Sequence, residues 1–147
     1  MKTIRGDLIT LAKSGEFDVI AHGCNCFCTM GRGIALQIKK EFPEAYTADS
    51  ATRKGDTSKL GDISTSVICR YKKPFVIVNA YTQYDYRGPN PNVDYGAIRN
   101  AFRLIKERFS GKSLAYPKIG AGLARGDWKV ISKIIDEELA GEDLTLS

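Results

Sequence analysis

The sequence predicts a three-layer α/β/α fold with a mixed central sheet, and three observations predict it. Segments with strand-like patterning alternate with segments whose apolar residues recur at helical spacing. Residues 75–80 form a run that is apolar but for Asn79, as expected for a central strand covered on both faces. Irregular, glycine-rich stretches follow directly after strand-like segments, where an α/β sheet opens a crevice for ligands. At 147 residues the chain is read as one domain, residues 1–147, because two cores of half that size would each be marginal.

Taken in order, residues 3–5 read as a short strand closed by Gly6, and residues 17–22 as a second strand. From Gly33 to Phe42 the apolar residues Ile34, Ala35, Ile38 and Phe42 keep helical spacing. Pro43 suits the first turn of a further helix, which Gly55 ends. Residues 63–71 alternate in part, as a half-buried strand does, and residues 75–80 supply the central strand. Asp94 caps a helix with Ile98, Ala101, Phe102, Ile105 and Phe109 inward. Residues 113–116 make a short strand. Asp127 caps a last helix with Val130, Ile131, Ile134, Ile135 and Leu139 inward, and residues 144–146 close the sheet.

Bulk properties narrow the function. The hydrophobic fraction of 43% and charged fraction of 27% are ordinary for a globular protein. No apolar run approaches the roughly 20 residues of a membrane span, and the N-terminus lacks a secretory signal, so a cytoplasmic protein without membrane contact is expected. The net charge of +5 and pI near 9.0 point to an anionic partner. Lysines and arginines are interleaved with acids rather than massed in one block, which favours a small phosphorylated ligand over a nucleic-acid duplex. Cys24, Cys26 and Cys28 alternate along a short segment, a poor geometry for disulfides and not the spacing of a zinc site. Free thiols in a reducing compartment, with no metal and no cofactor, are the expectation.

Three segments break the regular pattern: Gly6-Asp7-Leu8, residues 22–33 and residues 118–128. Met30-Gly31-Arg32-Gly33 stands just before a helix, where free N–H groups and a partial positive charge suit a phosphate. Gly120-Ala121-Gly122-Leu123-Ala124-Arg125-Gly126 is a second such loop, and the two together could grip a diphosphate through backbone amides. His22, the sole histidine, ends a strand beside the first loop and is a candidate acid–base residue because it titrates near neutral pH. Asn25 carries one acceptor and two donors, which suits the vicinal hydroxyls of a sugar.

Gly6-Asp7-Leu8-Ile9-Thr10, Asn25 with Gly31-Arg32-Gly33-Ile34-Ala35, and Gly120-Ala121-Gly122-Leu123 together resemble the macrodomain pattern in order and spacing, over nearly the whole chain. The resemblance implies a macrodomain fold and an ADP-ribose site. In it Asp7 and the Leu8 backbone would hold adenine and Asn25 the distal ribose. Gly31, Gly33 and Ile34 would line ribose and phosphate, and Gly120, Ala121, Gly122, Leu123 and Ala124 would wrap the diphosphate. The segment from His22 to Cys26 looks most like the branch that includes ADP-ribose 1″-phosphate phosphatases, which implies His22 and Asn25 as the catalytic pair. A related branch, which removes ADP-ribose from glutamate or DNA, uses a lysine and an aspartate. This chain has Gln83 where the lysine would stand and Ala124 at the aspartate position. The expected activity is therefore phosphate removal from ADP-ribose 1″-phosphate. The alternatives are an ADP-ribosyl hydrolase acting on protein or nucleic acid, or a non-catalytic ADP-ribose reader. The expected ligand is ADP-ribose or its 1″-phosphate, the protein a monomer, and nucleic acid a partner only as an ADP-ribosylated substrate.

Overall fold

The computed structural model describes residues 2–88, 92–122 and 124–147. Its strands are β1 (Lys2–Thr3), β2 (Val19–Cys24), β3 (Ile63–Ile68), β4 (Phe75–Tyr81), β5 (Leu114–Tyr116) and β6 (Leu144–Leu146). They form one sheet in the order β1-β6-β5-β2-β4-β3. Every neighbouring pair runs parallel except β3 and β4, which are antiparallel. The mixed α/β architecture expected from the sequence is the one observed.

Five helices cover the two faces: α1 (Leu8–Lys13), α2 (Gly33–Glu41), α3 (Pro43–Ser50), α4 (Tyr95–Phe109) and α5 (Trp128–Glu138). Side-chain alternation along the strands divides the core accordingly. Val19 and Ala21 of β2 pack with Ile98, Phe102 and Ile105 of α4 and Ile131 and Ile135 of α5. Ile20 and Cys24 of the same strand face Leu8, Ile9, Ile38 and Ala45, which belong to α1, α2 and α3. Fully burying side chains of this size contributes roughly 1.5–3 kcal/mol apiece, so the long α4 stripe is a main anchor of its layer.

Several boundaries differ from the sequence expectation. The first strand occupies residues 2–3 rather than 3–5. The helix after Pro43 ends at Ser50, and residues 57–59 add one 3₁₀ turn capped by Asp56, whose Oδ1 accepts from Ser58 N. The strand over 63–71 stops at Ile68, and Val130, expected inward, is exposed. Helix α1 has no counterpart in the sequence reading. Its six residues are too few to display a helical period, yet Leu8, Ile9 and Ala12 are buried and Asp7 caps it. No helix among the described residues is long and apolar enough to cross a membrane.

Candidate functional site: a cleft at the strand ends

Strands β2, β4 and β5 are parallel, so the loops after Cys24, Tyr81 and Tyr116 emerge on the same edge of the sheet. The chain leaves β2 toward β3 and β4 on one side, then crosses to β5 on the other. This reversal separates the loops and opens a crevice between them, as in other open α/β sheets. The crevice is a cleft of about 680 Å³ lined by the segments after all three strands, well within the size of small-molecule sites.

The first loop, residues 25–32, is held by its own polar groups. Asn25 Oδ1 accepts from Phe27 N at 2.8 Å, and Asn25 Nδ2 donates to Thr29 Oγ1 at 2.7 Å. Two non-glycine residues, Cys28 (φ 57°) and Met30 (φ 42°), take the left-handed conformation before Gly33 (φ 57°) opens α2. Left-handed non-glycine residues are costly and gather at ligand sites. Helix α2 has no side chain capping its N-terminus, and Arg32, Gly33, Ile34 and Ala35 line the cleft. The first-turn N–H groups and the positive end of the helix dipole therefore meet the cleft, a favourable place for an anion.

The second loop, after β5, folds back on itself through Gly126 N donating to Gly120 O at 2.6 Å and Arg125 N to Gly122 O at 3.0 Å. Its glycines serve two different ends. Gly120 has φ +74°, and a Cβ there would lie 2.7 Å from Val93 Cγ2. A Cβ on Gly126 would lie 2.6 Å from Gly120 O and 2.7 Å from both Ile131 Cδ1 and Val93 Cγ1. The fold itself requires glycine at both. Gly126→Ala is expected to cost about 1–3 kcal/mol, the usual penalty for overpacking, read as a lower urea midpoint with unchanged slope. By contrast, a Cβ on Gly122 meets nothing within 4 Å, and one on Gly31 meets only Thr29 O at 3.9 Å. Neither has a left-handed φ, and both line the cleft. The fold does not need glycine at these two positions, and both face open space in the cleft.

His22 is wholly buried and does not line the cleft. It lies on β2 opposite Asn79 of β4, and its Nε2 is 2.6 Å from Asn79 Oδ1. Asn79 Nδ2 donates to Ala45 O and to Ser64 Oγ, each at 3.0 Å. Ser64 Oγ lies 2.9 Å from Tyr81 Oη, which donates to Asp49 Oδ1 at 2.7 Å. Since the Tyr81 proton goes to Asp49, the Ser64 hydroxyl donates to Tyr81, and His22 donates from Nε2 to Asn79. Four side chains thus donate in one direction, from the histidine to the Asp49 carboxyl in the cleft wall. Nδ1 is left as an acceptor, 3.8 Å from Cys24 Sγ. Burial lowers the His22 pKa from 6.5 to about 4, against an opposing pull from the Asn79 bond, so the ring is neutral at pH 7.

The neighbouring thiols are held in their protonated form. Burial raises Cys24 well above its ordinary value, and Cys26 to about 11. All four cysteines are free. Lys59, itself buried, donates from Nζ to Cys26 O at 3.1 Å and stands 4.7 Å over the Tyr81 ring.

Of the residues singled out in the sequence, the structure gathers Asn25, Gly31, Gly33, Ile34, Gly120, Gly122 and Ala124 on one cleft. It does not bring His22, Leu8 or Ala121 to the cleft wall, and Asp7 stands outside it as the cap of α1, with Oδ2 accepting from Thr10 Oγ1 at 2.8 Å. Leu123 lies outside the described residues. Sequence reasoning missed Asp49 and Thr82, which both line the cleft. Asp49 sits within a helix, with no local signal to separate it from a surface carboxylate. Thr82 follows directly on the central strand, and that position was the available clue.

Comparison with known proteins identifies the family and the fold. The family model described as Macro domain matches residues 21–135. A 17.5 kDa protein of Enterobacteria phage T4, from the tk-vs intergenic region, is 39% identical over 92% of this chain and 88% of its own length. The DNA ADP-ribosyl glycohydrolase of Mycobacterium tuberculosis is 30% identical over 87% of this chain, which spans only 35% of that protein. The ADP-ribose 1″-phosphate phosphatase of Candida albicans is 28% identical over 91% of this chain and 90% of its own. In fold, the macrodomain of M. tuberculosis DarG superposes with a TM-score of 0.75 at 23% identity, covering 99% of this chain and 95% of that one.

Proposed function

The chain belongs to the macrodomain family, and we propose that its cleft binds ADP-ribose and that it removes the phosphate from ADP-ribose 1″-phosphate. The observation that carries the reading is the pair Gly31 and Gly122, glycines that the fold does not require and that leave room for a ligand backbone on both walls. In this reading the diphosphate lies between Gly122 and the uncapped first turn of α2, and the terminal ribose lies against Asn25. The adenine end extends beyond the cleft lining toward Asp7 and Leu8.

His22 takes a different part from the acid–base role its position in the sequence suggested. Its ring is enclosed and its Nε2 is engaged by Asn79, so it supports the cleft from behind. Stabilisation of the reacting phosphate then falls to the N–H groups of the two loops and to the cations of the cleft lining, Arg32 and Lys118 among them.

A second reading, removal of ADP-ribose from a macromolecule, is favoured by the similarity to the mycobacterial glycohydrolase. It is disfavoured by Gln83 and Ala124 at the positions of the lysine and aspartate that such chemistry uses. The test is a side-by-side incubation with ADP-ribose 1″-phosphate and with ADP-ribosylated protein and DNA. Release of inorganic phosphate from the first, without free ADP-ribose from the others, is the expected result. The reverse pattern would establish the glycohydrolase, and tight ADP-ribose binding with neither product would establish a reader.

A further inference from the structure

Asp49 is 1% exposed, lines the cleft, and uses one carboxyl oxygen to accept from Tyr81. The other, Oδ2, is buried and has no hydrogen-bond partner. An unpartnered oxygen of a buried carboxyl is expensive to maintain, and native proteins seldom keep one without a use. Its position is held with some care. The chain of donors from His22 through Asn79, Ser64 and Tyr81 ends on Oδ1, and same-sense donation along such a chain strengthens each link. The Asp49 backbone carbonyl lies 3.3 Å from Cys28 Sγ, so the carboxyl is tied to the Asn25–Thr29 turn of the first loop.

The electrostatic setting is mixed. Burial raises the Asp49 pKa, while the Tyr81 bond and the charge of Lys59 lower it, with a net rise. Neither of those partners reaches Oδ2. A phosphate would be a poor guest there, because two anions would meet in a buried wall. A hydroxyl is a good one, since a carboxylate is a pure acceptor and a sugar hydroxyl supplies the missing donor.

We propose that Asp49 is the residue of the cleft that recognises the terminal sugar, its Oδ2 accepting a hydrogen bond from a ribose hydroxyl beside Asn25. The proposal rests on the reading that the cleft binds ADP-ribose, and extends it by assigning a contact to the sugar that the loop glycines cannot make. The buried polar chain behind Asp49 then has a purpose: it fixes one carboxyl oxygen so that the other is presented to the ligand. Tyr81 is a positioning residue in this scheme.

Calorimetry with two ligands, ADP-ribose and ADP, tests it on the wild type, Asp49→Asn and Tyr81→Phe. ADP has the adenine and diphosphate but no terminal sugar. The asparagine variant can still accept from Tyr81 through its amide oxygen, but presents an N–H₂ group to the hydroxyl. It is expected to bind ADP-ribose roughly ten- to hundredfold more weakly, the worth of one hydrogen bond to a charged group, with ADP affinity unchanged. Tyr81→Phe should give a smaller loss, again for ADP-ribose alone. Unchanged ADP-ribose affinity in Asp49→Asn, or equal losses for both ligands, would overturn the assignment. So would a wild type that binds ADP-ribose no better than ADP, a result that needs no variant to fold. Failure of the wild type to bind either ligand would instead refute the ADP-ribose reading on which the proposal stands.

Discussion

Gly122→Glu is expected to abolish ADP-ribose binding while leaving the fold intact. A Cβ at this position meets nothing within 4 Å and the φ angle is not left-handed, so the backbone accepts a side chain without strain. Gly122 is exposed, and an added carboxylate therefore has no desolvation to suffer in the empty protein. In the liganded state the same carboxylate occupies the space proposed for the diphosphate and opposes its charge. Like charges within a few ångströms cost several kcal/mol at the dielectric of a partly enclosed site, so a loss of about a hundredfold or more is expected. Calorimetry reads the binding, and circular dichroism with thermal unfolding reads the fold. A variant that unfolds with the wild-type midpoint yet binds ADP-ribose normally would place the diphosphate elsewhere.

The second large effect concerns His22 and acid. Its pKa is about 4 in the folded protein against 6.5 for the free side chain. Above the unfolded value both states are neutral at this site and the ring contributes no pH dependence. As pH falls through 6.5 the unfolded chain takes up a proton that the folded protein refuses, and stability declines until the folded ring itself titrates near pH 4. Full passage through that window is worth on the order of 3 kcal/mol. Asp49 works in the opposite sense, because its raised pKa lets the folded state bind its proton first. Asp18, lowered to about 2 chiefly by its bond to Lys73, loses its contribution only in stronger acid. The quantity to measure is therefore the difference between wild type and His22→Gln in urea unfolding at pH 7 and pH 4.5. The glutamine variant is expected to lack most of the acid-dependent loss seen in the wild type. Its rate of phosphate release should stay within about tenfold of the wild type, since a true general acid or base contributes typically 10²–10⁴-fold. A drop of that larger size, with affinity preserved, would restore His22 to the chemistry.

The layered architecture, the central strand, and helices α2, α4 and α5 were legible because each depends on a local pattern long enough to be read: five inward positions in α4, a run in β4 that is apolar but for Asn79. The glycine loops were legible too as candidates, since glycine after a strand and before a helix lets the backbone approach a ligand, although turns and close packing call for it as well. Helix α1 was not, because six residues give less than two turns and its cap, Asp7, resembles a ligand residue as much as a helix start.

By itself the sequence determined the fold class, the two loops and the presence of a sugar-competent asparagine, all properties that reside within short windows of the chain. Only the tertiary structure decided which glycines serve the fold and which serve the cleft, because that depends on neighbours such as Val93 and Ile131, distant along the chain and absent from the local pattern. Only it decided that His22 is enclosed against Asn79 rather than exposed in the cleft lining: strand alternation sends neighbouring side chains to opposite faces, and the pairing partner is 57 residues away. The same holds for Asp49, one carboxylate among many in the sequence. Its distinction is burial at the wall of the cleft with Tyr81 on one oxygen and no partner on the other, and burial is a property that only packing confers.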